Sequence, residues 1–93
     1  MTPEGKLKKR CRDRAKREGL MFRNVEGKGV RGIPDTICEH VDRLGVVWVE
    51  FKYGDNRPSQ QQLERAEEIK HAGDRVAFCW TYEEWCAAVG LSP

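Results

Sequence analysis

The stretch VVWVEFKY, from Val46 to Tyr53, sets the tightest limit on what this chain can fold into. Its β-branched and aromatic residues favour an extended strand. Its near-continuous apolar character before Glu50 is that of a central strand covered on both faces. Yet it carries Glu50 and Lys52, and a strand interior is an unfavourable place for charge unless the charge is partnered. Side chains alternate across a strand, so Glu50 and Lys52 share one face while Phe51 points to the other. The whole chain has only 93 residues. One domain spanning residues 1–93 is expected, with a thin core that buries about 60–65% of the unfolded surface.

The remaining elements fall around this strand. Thr2-Pro3 is a helix start, a hydroxyl cap followed by proline at the first helical position. Leu7, Cys11 and Ala15 recur every four residues as a narrow buried stripe to about Arg17, and Glu4 falls on the same stripe. Leu20–Val25 reads as a first strand, and Glu26–Gly32 as a flexible basic loop. Asp35–Val41 reads as a second strand, with Asp35, Ile37, Glu39 and Val41 in one phase. Asp42–Gly45 is a turn signal that pairs this strand with Val46–Tyr53. Ser59 and Gln62 form a capping box at the head of a helix to about Ala72. Its stripe is Leu63, Ala66 and Ile69. Arg75–Trp80 is a fourth strand, and Thr81 with Glu84 caps a short last helix through Val89. The order α-β-β-β-α-β-α predicts an α/β fold: a mixed sheet, meander first and returning strand last, with helices on its faces.

Net charge is only +2, but it is unevenly spread. Lys6, Lys8, Lys9, Arg10, Arg12, Arg14, Lys16 and Arg17 lie within twelve residues that hold one acid, Asp13. A charge run of this kind is either a solvated helix face or the footprint of an anionic partner such as nucleic acid. No apolar run approaches the roughly 18 residues of a membrane span. The N-terminus lacks the apolar stretch of a signal peptide, so an intracellular protein is expected. Cys11, Cys38, Cys79 and Cys86 contain no CxxC pair, and buried reduced thiols are the expected state.

Asp35 stands near the start of the strand that pairs with Val46–Tyr53, so the hairpin brings it toward Glu50. Two neighbouring carboxylates repel unless a cation lies between them. Their oxygens, the Phe51 backbone carbonyl and water would make a hard, oxygen-rich site suited to Mg²⁺ or Mn²⁺. Lys52 beside it would hold an attacking water or stabilise charge on a phosphoryl oxygen. Against this stands a plainer reading: cross-strand acid–lysine pairs are common on protein surfaces and individually weak.

Read together, Gly32-Ile33-Pro34-Asp35, Glu50-Phe51-Lys52, Ser59-Gln60-Gln61-Gln62 and the early helical Glu4 resemble the PD-(D/E)xK nucleases. More narrowly they resemble the virus-type replication-repair nuclease (VRR-NUC) domain, over nearly the whole chain. The resemblance implies a restriction-endonuclease-like αβββαβ core with a short C-terminal helix. It implies a Mg²⁺- or Mn²⁺-dependent endodeoxyribonuclease with Asp35 and Glu50 on the metal and Lys52 as catalytic lysine. Gln62 would position Lys52 or the water, and Glu4 would assist the metal site indirectly. Each of these last two also has a local reading, Gln62 as a helix cap and Glu4 as an acid at a helix N-terminus. Lys8, Lys9, Arg12, Lys16, Lys28 and Arg31 would neutralise DNA phosphates. Compact members of the family suggest a homodimer acting on branched DNA such as four-way junctions, with the third strand and residues 85–91 as candidate interface. Two alternatives remain at this stage: a non-catalytic nucleic-acid-binding module, or a nuclease subunit whose partner chooses the substrate.

Overall fold

In the computed structural model, residues 1–26 and 29–93 are described. The elements are α1 (Pro3–Arg17), β1 (Phe22–Asn24), β2 (Thr36–Glu39), β3 (Val46–Phe51), α2 (Gln60–His71), β4 (Arg75–Cys79) and α3 (Tyr82–Val89). The expected order holds, and the caps fall where the sequence put them. The Thr2 hydroxyl accepts from the Gly5 N–H, and Ser59/Gln62 and Thr81/Glu84 are both closed capping boxes.

Four strands form one mixed sheet in the order β1-β2-β3-β4. β1, β2 and β3 pair antiparallel, and α2 carries the chain across so that β4 returns parallel to β3. β3 is therefore central, as its apolar run requires. The strands are shorter than the apolar runs that announced them. β1 keeps only three residues and β2 only four, so His40 and Val41 lie beyond the ladder.

The two faces of the sheet differ. Val47, Val49 and Phe51 of β3, Cys38 of β2 and Cys79 of β4 face a core closed by Cys11 and Ala15 of α1 and by Trp85, Cys86 and Val89 of α3. Phe22 sits 6.2 Å from the Phe51 ring and 6.4 Å from Trp85, centroid to centroid. The opposite face holds Val46, Trp48 and Glu50, all half-buried. α2 packs over β4 on one flank. Full cover of β3 on both faces, expected from its composition, is thus corrected. One face is sealed and the other half open, which leaves Glu50 room to meet solvent and ligand. Leu63, expected in the buried stripe of α2, is 45% exposed for the same reason.

The four cysteines, scattered in sequence, meet in the sealed core as free thiols. Burial raises the Cys11 thiol pKa, as do the neighbouring Cys79, Cys86 and Cys38. The last helix turns Trp85, Cys86 and Val89 fully into the core of this chain and leaves Ala87 exposed.

Candidate active site

The hairpin register brings the two acids together. Thr36 pairs with Val49 at the end of the β2–β3 ladder, and one step further places Asp35 opposite Glu50. Directly opposed side chains have Cβ atoms about 4.5–5.5 Å apart. The Thr36 hydroxyl, fully buried, donates to Asp35 Oδ1 at 2.6 Å and fixes that carboxylate's rotamer.

Glu50 is electrostatically unusual. Its pKa is raised from 4.5 to about 7, first by burial, then by the charge of Asp35, and to a smaller extent by Glu4. Lys52 and the Asp35 N–H pull the other way without cancelling the rise. All three residues that the sequence placed around Glu50 therefore act on it. Glu4 is the weakest of them, which suits an indirect role at the N-terminal end of α1.

Lys52 lies one residue past β3, anchored by its backbone N–H on the Cys79 carbonyl at 2.9 Å. Its Nζ donates to Gln62 Oε1 at 2.7 Å. The same oxygen accepts the Ser59 backbone N–H at 2.9 Å. Gln62 thus caps α2 and holds Lys52 at once, and of the three consecutive glutamines it is the one the capping spacing selected.

A clamp that sequence reasoning missed joins the two halves of the site. Gly32 adopts φ +86°, and a methyl there would stand 2.4 Å from the Gln61 carbonyl oxygen. Only glycine permits both the backbone angle and that approach. Arg65 of α2 donates through Nε to the Arg31 carbonyl at 3.2 Å. The loop leading to Asp35 is therefore pressed onto the helix turn that carries Gln62. Glycine at position 32 was the available signal; Arg65 gave none, because its partner is a backbone carbonyl 34 residues away.

The basic residues sort less simply. On α1, Lys9 bonds Asp13 at 2.8 Å. Arg14 binds Glu18, the Tyr82 hydroxyl and the Ser92 carbonyl, and Arg10 stacks 3.8 Å from the centre of the Tyr82 ring. These last two fasten α1 to α3. Lys8, Arg12 and Lys16 enter no ion pair among the described residues. Arg31 is exposed, and Lys28 lies outside the described residues.

No family model and no curated protein matches the sequence. A search of solved structures does find similarity, to a chain described as a VRR_NUC domain. The superposition has a TM-score of 0.81 and covers 97% of each chain, at 23% identity. The fold is that of a VRR_NUC domain. Within the VRR_NUC fold the observed mixed sheet and flanking helices match the architecture expected from the sequence, and no helix is long and apolar enough to cross a membrane among the described residues.

The donor set suits a hard divalent cation. Two carboxylates face each other, and the pKa of one is lifted partly by the other. Among the described residues no three His, Cys, Asp or Glu side chains group closely enough to hold a metal by themselves. An ion on Asp35 and Glu50 would complete its shell with backbone carbonyl and water oxygens, as Mg²⁺ commonly does.

Proposed function

We propose that the protein is a Mg²⁺- or Mn²⁺-dependent DNA endonuclease that hydrolyses phosphodiester bonds at the Asp35–Glu50–Lys52 site. The observation that carries this reading is the raised pKa of Glu50 opposite Asp35, beside a lysine held by Gln62. Asp35, Glu50 and the Phe51 carbonyl would hold the ion. When bound it would supply Lewis-acid stabilisation of the phosphoryl oxygens and lower the pKa of water. Lys52 presents a positive charge at the mouth of this acid pair, where it steadies the attacking water or the charge that builds on the phosphate. Gln62 fixes the Lys52 ammonium through one short bond, so little reorganisation is needed at the moment of reaction. Thr36 keeps Asp35 in its rotamer, and the Gly32–Arg65 clamp keeps the two carriers in register.

Branched DNA and a homodimer belong to the same proposal. One small site cuts one strand, and symmetrical cutting of a junction requires two sites related by a two-fold axis. Trp48 of β3, half-buried, and Ala87 of α3, exposed, are the parts of the third strand and residues 85–91 open to that pairing.

The test is cleavage of labelled four-way junction and linear duplex in EDTA, Mg²⁺ and Mn²⁺, with sedimentation to give the oligomeric state. Cutting only with metal, and faster on the junction by a dimer, is the expected result. Binding without cutting under either metal would reduce the protein to a nucleic-acid-binding module.

A further inference from the structure

The row Lys8, Arg12 and Lys16 runs at i, i+4, i+8 along α1. It starts one turn below Glu4 and extends about 12 Å away from the active site. Its far end meets a shallow pocket of about 220 Å³ between α1 and the free edge of β1, lined by Arg12, Lys16, Leu20, Met21, Phe22 and Arg23. The floor is apolar, with Leu20 only 7% exposed, and two cations of α1, Arg12 and Lys16, stand beside it. Neither enters an ion pair among the described residues.

The backbone adds a donor. The Val25 N–H donates to the Asp35 carbonyl, and the Met21 carbonyl accepts the Glu39 N–H, so odd-numbered residues of this segment face β2. By the alternation of an antiparallel ladder, the Phe22 peptide faces the free edge where the pocket lies. Cations, an outward N–H and an apolar floor suit a phosphate with its attached sugar. A volume below the roughly 300 Å³ of ordinary small-molecule sites argues against a larger ligand.

Resting on the nuclease reading, we infer that this pocket is a second phosphate seat, gripping the DNA backbone away from the scissile bond. Val25 stands level with Asp35, and the pocket residues Arg23 to Leu20 lie two to five positions further along. At about 3.3 Å per residue that is roughly 7–17 Å. On that scale the seat lies within a few nucleotides of the cut.

A double-mutant cycle tests whether Arg12 and Lys16 serve one phosphate. Dissociation constants are measured by fluorescence anisotropy on a four-way junction and a linear duplex, in EDTA, for wild type, Arg12→Ala, Lys16→Ala and the pair. Thermal melts confirm that each variant is folded. The seat predicts several-fold weaker binding for each single change and little further loss for the pair. It also predicts a salt slope shallower by about 0.9, the share of one phosphate contact. Binding should return in the charge-keeping Arg12→Lys/Lys16→Arg pair. Losses that simply multiply, or no loss at all, overturn the seat while a wild type that still binds and cuts keeps the nuclease reading. A wild type that neither binds nor cuts either DNA overturns both.

Discussion

The two ends of the β2–β3 hairpin are acidic, and they are built in opposite ways. At the turn end, Glu39 accepts the Met21 N–H at 3.1 Å and pairs with Arg43 at 2.9 Å, and its pKa is lowered by those partners, the N–H first. Asp42 is likewise lowered, by the Leu44 N–H first and then by Arg75. At the open end, Glu50 is raised to about 7 by burial and by Asp35. Glu39 and Glu50 share a sheet face on adjacent strands, yet one is satisfied and the other is held against its preference. A fold loses stability by keeping such a group, and functional sites are where that loss is tolerated.

The largest effect should come from Lys52. Lys52→Ala should cut about 10²–10³-fold more slowly, the scale of losing one preorganised donor to a developing oxyanion. DNA binding should change little, and a gel-based single-turnover assay beside anisotropy separates the two. Normal cutting by this variant would remove the lysine from the chemistry.

Gly32→Ala comes next. The strained angle and the collision with Gln61 should cost about 1–3 kcal/mol of stability by denaturant melt. Cutting should fall by about 10²-fold, because Asp35 and Gln62 are displaced relative to each other. A loss of stability with unaltered turnover per folded molecule would show the clamp to be structural alone.

Smaller still are the carboxylate exchanges, which have opposite signs at the two ends. Between pH 4.5 and about 7 folded Glu50 keeps a proton that the unfolded chain has lost. Its contribution to stability is therefore full below 4.5, is lost as pH rises, and is gone above about 7. Glu50→Gln should stabilise the metal-free protein at pH 8 by about 1–2 kcal/mol once partial exposure is discounted, and should flatten this slope. Glu39 has a lowered pKa, so its contribution is present above the ordinary carboxylate range and lost as pH falls through its folded value. Glu39→Gln should give a slight loss of stability at pH 8 and none in strong acid. Melts of both variants across pH read the contrast, and like-signed shifts at pH 8 would erase it.

Much of this site could be read before the fold was known, for physical reasons. Strand parity put Glu50 and Lys52 on one face, and a short turn put Asp35 beside them. The capping box singled out Gln62. What stayed hidden depended on partners distant in sequence. Arg65 holds a backbone carbonyl, which leaves no trace in residue type. An apolar helix such as residues 82–89 looks the same whether it closes a core or meets a second chain, and here it closes the core. The eight cations of the first helix also look alike in sequence. Tyr82 and the C-terminal segment set Arg10 and Arg14 apart as fasteners, while Arg12 and Lys16 are left to line the pocket.

The central claim is that Asp35 and Glu50 form an acid pair poised for a divalent cation. A ¹³C-detected NMR titration of the Glu50 carboxyl, in EDTA and again with Mg²⁺, tests it most directly. A midpoint near 7 in EDTA, shifting clearly lower with Mg²⁺ and in Asp35→Asn, is the predicted result. A midpoint in the ordinary carboxylate range, indifferent to Mg²⁺ and to the loss of Asp35, would contradict the account.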